Sequence, residues 1–231
     1  MLVGGLQKLT LVDFPGKVAA IVFTKGCLFR CPYCHNPDLV LPERGVELPI
    51  AEVKDFLESR KDFLDGICIS GGEPTLHKDL PEFISYIKGL GYAVKLDTNG
   101  VTPQMVRELI DKKLVDYFAM DLKSTWQKYQ TIANLAPGKE RFIENCKETF
   151  KIIQESSVPH EWRTTVLPGI HTEEDFIEMA SWLIPGEQYF IQNINYAVTL
   201  DQRLDKTKRI DVSSLVGTLK KMYPHLHIEA R

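Results

Sequence analysis

No apolar run among the 231 residues approaches the roughly 20 needed to span a bilayer. The opening MLVGGLQKLTLVDFPGK has no basic region, no long apolar stretch and no small-residue cleavage site, so no leader is expected and a cytoplasmic location is. An excess of basic charge is missing too. The 28 Lys and Arg stand against 31 Asp and Glu, and a net charge of -3 lacks the electrostatic footprint of a nucleic-acid binder. Internal repeats and low-complexity segments are absent. Cysteine is scarce, at five, and the odd count with three crowded into eight positions argues against a disulfide framework and for a metal or cluster site.

What is present is the composition of a soluble globular protein, 44% hydrophobic and 26% charged, in a length that folds around one core. Residues 1–231 are therefore expected to form a single domain. Apolar β-branched runs alternate with longer amphipathic stretches, the pattern of strand-helix units on a mostly parallel sheet and so of an α/β fold. Strands are expected at 18–23, 66–70, 92–97, 115–121, 162–167, 188–194 and 225–230. Pro49, Pro81 and Pro103 precede helical spacing at Val53, Phe56 and Leu57, at Phe83, Ile84 and Ile87, and at Met105, Val106, Leu109 and Ile110. Further helices are expected over 140–155, 173–184 and 212–222, and the loops at 36–49 and 134–139 are short enough to be connections. Such units build an open doubly wound sheet or a barrel, and in both the ligand sites gather at the C-terminal ends of the strands.

Directly after the first of these strands comes GCLFRCPYCHN, in which Cys27, Cys31 and Cys34 make a CxxxCxxC loop. Three thiolates on one tight loop can hold three irons of a cubane and leave the fourth open, whereas electron-transfer clusters ordinarily have four cysteine ligands. An open iron implies a substrate ligand, as an open position does at a catalytic zinc. A zinc site completed by His35 is the competing reading, with the awkward geometry of two adjoining ligands at Cys34 and His35. Cys68, inside the strand GICIS, and Cys146, inside a helix, read as small buried core residues. Gly71-Gly72-Glu73-Pro74 follows the next strand, where glycines let the backbone approach a ligand and carbonyls can accept from an ammonium group.

The cysteine loop, with a GGE one strand-helix unit later, resembles the radical S-adenosylmethionine (SAM) superfamily, and the likeness runs over most of the chain. Membership implies a 4Fe-4S cluster on Cys27, Cys31 and Cys34, chelation of the open iron by the amino and carboxylate groups of SAM, and reductive cleavage to a 5′-deoxyadenosyl radical. It also implies a partial parallel barrel of about six strand-helix units. Gly71 and Gly72 match the amino-group site of the family, where Glu73 would add a charge-assisted contact.

Asp97-Thr98-Asn99-Gly100 and Asp121-Leu122-Lys123, each at a strand end, resemble motifs of the glycyl-radical-enzyme activases. That likeness implies that Asp97 organises a monovalent cation and the SAM carboxylate, and that Asp121 and Lys123 hold the same cofactor. An Asx-type turn and a strand-end salt pair are the plainer readings. Tyr33, inside the cysteine loop, is placed to cover the cluster or stack near adenine, with packing as the alternative. Arg163 on the fifth strand needs a partner if buried. Gln192, Asn193 and Asn195 end the sixth, where some activases carry a histidine that this chain lacks. His77, His160, His171, His225 and His227 show no ligand spacing and read as surface or core residues.

Within the superfamily the motifs look most like those of anaerobic ribonucleoside-triphosphate reductase activating proteins, then of pyruvate formate-lyase activating enzymes. The resemblance implies a glycyl-radical enzyme such as anaerobic ribonucleotide reductase as partner and a flavodoxin or ferredoxin as electron donor. A radical SAM enzyme acting on a small molecule, such as a deazapurine precursor, and a non-catalytic iron-sulfur or zinc module are the alternatives.

Overall fold

The computed structural model describes residues 1–41 and 43–231; within the loop expected at 36–49, Pro42 lies outside the described residues. In chain order the elements are β1 (Val3–Thr10), β2 (Ala19–Thr24), α1 (Pro37–Val40), α2 (Ile50–Ser59), β3 (Gly66–Gly71), a 3-10 turn (Pro74–Leu76), α3 (Leu80–Gly89) and β4 (Ala93–Thr98). They continue with α4 (Pro103–Asp111), β5 (Tyr117–Asp121), α5 (Tyr129–Ile132), α6 (Arg141–Glu155), β6 (His160–Thr165), α7 (Glu173–Ser181), β7 (Gln188–Gln192), α8 (Val212–Met222) and β8 (His227–Ala230). The seven expected strands and six expected helices are all found, with ends shifted by a few residues. Strands β2 to β7 are each followed by one of the longer helices, which makes the six strand-helix units of the expected α/β fold. The sheet order follows the chain from β1 to β8.

β1 is the strand that local pattern does not disclose. Its sequence VGGLQKLT carries two glycines, which lower strand propensity, and only its end residues Val3 and Thr10 are buried. Antiparallel pairing with β2 makes it a strand, with register shifts between Val3 and Gly5 and between Gln7 and Thr10.

The chain folds into two compact units, each assembled from three segments. The first comprises Met1–Leu28, Asp38–Ala119 and Asn145–Pro159. Here β2, β3 and β4 are parallel neighbours, Ala19 opposite Gly66 and Gly66 opposite Ala93. A parallel strand is covered on both faces and so reads as a continuous apolar run. Ile67, Cys68 and Ile69 of β3 are accordingly all fully buried. Helix α3 buries Leu80, Phe83, Ile84 and Ile87, its one-sided i, i+3, i+4, i+7 set. α4 buries Val106 and Leu109, and the part of α6 in this unit buries Cys146, Phe150 and Ile153. Because Thr24 pairs with Gly71, β2 and β3 end level, and the loops leaving them emerge side by side.

The second unit comprises Phe29–Pro37, Met120–Glu144 and His160–Arg231. β6, β7 and β8 are parallel, Thr165 opposite Gln192 and Gln188 opposite His227. Trp162, Tyr189, Ile191 and Ile228 fill its core, with Phe176, Met179 and Ala180 from α7 and Leu215, Val216 and Leu219 from α8. Both helix starts are capped by an acid: within α7 Asp175 Oδ2 reaches back to the N–H of the cap residue Thr172 at 2.8 Å, and Asp211, the cap of α8, accepts the Ser214 N–H at 3.0 Å. Trp126 stacks on Trp182 with ring centroids 4.7 Å apart and on Tyr129 at 5.3 Å, and Phe29 meets the Tyr129 edge. No helix among the described residues is long and apolar enough to cross a membrane.

Candidate functional site

In the first unit the strand ends of β2, β3 and β4 carry Cys27, the GGE turn and the DTNG turn. The chain leaving β2 is pinned by Gly26, whose N–H donates to Leu39 O at 2.6 Å, and by Cys27, whose N–H donates to Val40 O at 3.1 Å. The turn after β3 lies directly on it: the Gly72 N–H reaches Thr24 O at 2.9 Å and the Glu73 N–H reaches Gly26 O at 2.8 Å. This approach is why glycine stands there. A Cβ on Gly72 would fall 2.2 Å from Gly26 O, and Gly71, at φ +117°, has Thr24 N and O 2.4 Å from where its Cβ would lie.

Glu73 is buried and its carboxylate is engaged by four donors. Oε1 accepts from the Thr75 N–H at 3.2 Å, the Thr75 hydroxyl at 2.6 Å and the Thr98 hydroxyl at 2.7 Å, while Oε2 accepts the Asn99 N–H at 2.7 Å. Burial raises its pKa against the pull of those donors. Glu73 thus ties the GGE turn to the DTNG turn. Within the latter, Asn99 Oδ1 accepts the Val101 N–H at 3.0 Å, the Asx turn expected of the motif, and Asn99 Nδ2 donates to Cys27 Sγ at 3.5 Å. Asp97 Oδ1 receives the buried Lys95 ammonium at 2.5 Å.

In the second unit the rest of the cysteine loop runs from Phe29. The Arg30 N–H donates to Ala133 O at 2.9 Å, Pro32 O accepts the Asp201 N–H at 2.9 Å, and the Cys34 N–H closes a turn on Cys31 O at 3.0 Å. Cys31 is buried, which pushes its thiol up to about 11. Tyr33 is buried, and its hydroxyl has no hydrogen-bond partner among the described residues. The Lys123 ammonium stands 5.9 Å from the centre of its ring.

Lys123 donates to Asp121 Oδ2 at 2.8 Å, and Arg163 Nε donates to Asp121 Oδ1 at 3.0 Å. Burial opposes both charges. For Asp121 the two cations prevail and hold the carboxyl at about 2; for Lys123 the carboxylate prevails and holds the ammonium well above the ordinary lysine range. Arg163 is 4.0 Å from Glu161, which also receives Arg231 at 3.4 Å.

Two residues outside the expected set have a place in this geometry. Asn99 belongs to the DTNG motif, in which sequence alone points to the aspartate. His171, expected as surface or core, is buried and accepts the Leu167 N–H on Nδ1 at 2.9 Å. Nε2 must then carry the proton, which it donates to Lys123 O at 2.9 Å. No spacing rule could find that contact, because its partner is a backbone carbonyl 48 residues away.

Among the described residues no three His, Cys, Asp or Glu side chains gather as a single metal ion requires. A cubane asks for something else, since each cysteine holds a different iron. The donor set suits it: three thiols spaced along one loop, one with an amide N–H on its sulfur. An unpartnered buried hydroxyl beside a protonated lysine equally suits a bound polar molecule.

Known proteins share both sequence and fold with this chain. The model of the Radical SAM superfamily matches residues 21–183. A Methanocaldococcus jannaschii protein assigned as a glycyl-radical enzyme activating enzyme is 35% identical over 227 residues, covering 96% of this chain and 92% of that one. The pyruvate formate-lyase-activating enzyme of Streptococcus mutans is 34% identical over 194 residues, 79% of this chain and 72% of its own. Among solved structures, Streptococcus suis SuiB shares the fold with a TM-score of 0.69 at 17% identity, over 91% of this chain and 48% of the SuiB chain. Since the family model spans from β2 into the turn after α7, and a relative more than a third identical runs nearly end to end, the chain belongs to the radical SAM superfamily.

Proposed function

We propose that this chain is a glycyl-radical-enzyme activase, with a 4Fe-4S cluster held by Cys27, Cys31 and Cys34. SAM is taken by Gly71, Gly72, Glu73, Asp97, Asp121 and Lys123, with Tyr33 beside it. The observation that carries the reading is the CxxxCxxC loop, whose three thiols leave one iron for a substrate. Bound there, cluster and SAM would supply a one-electron cleavage to methionine and a 5′-deoxyadenosyl radical, which takes hydrogen from a glycine of the partner. The end-to-end likeness to an activating enzyme supports the choice of a protein glycine over a small molecule.

The chain's own residues have distinct tasks. Asp121 is shared between Lys123 and Arg163, two cations of the sign that a carboxylate ligand needs. His171 fixes the Lys123 backbone and so the root of that ammonium. Glu73 acts on two turns at once, closing the GGE turn on the Thr75 N–H and presenting Asn99. The partner would be anaerobic ribonucleotide reductase or a similar enzyme, and the reductant a flavodoxin or ferredoxin.

The test is anaerobic incubation of the reconstituted, reduced protein with SAM, with and without a candidate glycyl-radical enzyme. 5′-Deoxyadenosine together with a glycyl doublet in the partner's EPR spectrum is the expected result. Deoxyadenosine with no doublet from any such partner would favour the small-molecule reading, and none at all from a loaded cluster would sink the proposal.

A further inference from the structure

Asn99 is held more firmly than a turn requires. Its backbone N–H is clamped by Glu73 Oε2 at 2.7 Å, and its backbone carbonyl faces the buried Cys146 thiol at 3.2 Å. The next carbonyl, Gly100 O, accepts the Thr149 hydroxyl at 2.7 Å. Asn99 is 5% exposed, and because its side-chain oxygen accepts the Val101 N–H, the end facing Cys27 Sγ must be the NH2. Three elements, the GGE turn, β4 and α6, thus converge on the orientation of one amide.

We propose that Asn99 is a positioning residue for the cluster, whose side-chain amide donates to the Cys27 sulfur and raises the reduction potential of the iron-sulfur centre. An N–H on a ligand sulfur stabilises the more negative, reduced state more than the oxidised one. The reaction requires that reduced state, so the amide makes the cluster easier to charge. The inference rests on the assignment of Cys27 as a ligand in the function proposed above.

Two substitutions separate this role from turn formation. Asn99→Asp keeps the oxygen that accepts the Val101 N–H but loses the donor to sulfur, and Asn99→Ala loses both. The measurement is the midpoint potential of the reconstituted cluster by EPR-monitored redox titration, without SAM or partner, alongside iron and sulfide content. At full iron content, and at the wild-type midpoint poise, both variants should show the ratio of reduced to oxidised cluster falling by about tenfold. A potential unchanged in both would overturn the proposal, since the turn alone has no reason to set it.

Should either variant fail to hold iron, the wild-type protein with 15N-labelled asparagine decides. Pulsed EPR of the reduced cluster should show coupling to a side-chain amide nitrogen, and its absence overturns the inference. Failure of the function reading looks different, because a chain that takes up no cluster gives no signal in any of these measurements.

Discussion

Lys95 lies on β4 with its side chain almost wholly removed from water and its ammonium on Asp97. A buried pair is costly to break from one side, because the remaining charge loses a close countercharge that little water replaces. Lys95→Met should therefore destabilise the apoprotein by about 3 kcal/mol in urea unfolding, and adding Asp97→Asn should restore most of the loss. An undiminished single mutant would mean that Asp97 draws its neutralising charge from elsewhere. His171 makes a prediction of a different kind. Burial lowers it to about 4, against 6.5 in an unfolded chain. Below about pH 6.5 the unfolded chain takes up a proton that the folded one refuses until near pH 4, so stability is full above that window and lost through it. The loss amounts to about 3 kcal/mol between pH 7 and 4. His171→Gln should flatten that part of the pH-stability curve, which thermal melts of the two proteins will check.

At the level of elements, the turn after β3, proposed above as a ligand cradle, is packed without room for a side chain. Gly72 has no unusual φ, and only space forbids a side chain there; Gly91, at φ +93°, has open space and only backbone strain. Gly72→Ala should push the β2 and β3 exits apart, costing about 3 kcal/mol and reducing the iron taken up on reconstitution. Gly91→Ala should cost about 1 kcal/mol and leave iron content alone. Equal losses of iron in both would argue against the cradle. The contrast also marks what a sequence can disclose. Buried strands such as GICIS and one-sided helices such as α3 announce themselves locally, because burial on both faces or one leaves a period in the residues. The motif residues do so because their spacing reflects chemistry. Hidden from such reading are β1, which depends on pairing rather than on its own residues, and the contacts of Asn99 and His171. Those contacts join turns and carbonyls far apart in the chain and leave no period behind.

For the molecule as a whole, the chain passes between its two compact units five times, at Leu28/Phe29, Pro37/Asp38, Ala119/Met120, Glu144/Asn145 and Pro159/His160. Neither unit is a continuous stretch, so neither can be made by simple truncation. The three tryptophans, Trp126, Trp162 and Trp182, all belong to the second unit, whereas far-UV circular dichroism reads helices in both. Denaturation followed by the two signals should give coincident curves, because a chain so interlaced leaves little that can unfold alone. Fluorescence that moves ahead of ellipticity would show a separable second unit.

β1 is an irregular strand. It stands at one end of the strand order, twice out of register with β2, and carries Lys8 and two glycines. Such a margin offers no flat row of amides to a second molecule. The practical consequence is colloidal: at the millimolar concentrations that spectroscopy of dilute paramagnets demands, this edge should not seed fibrils.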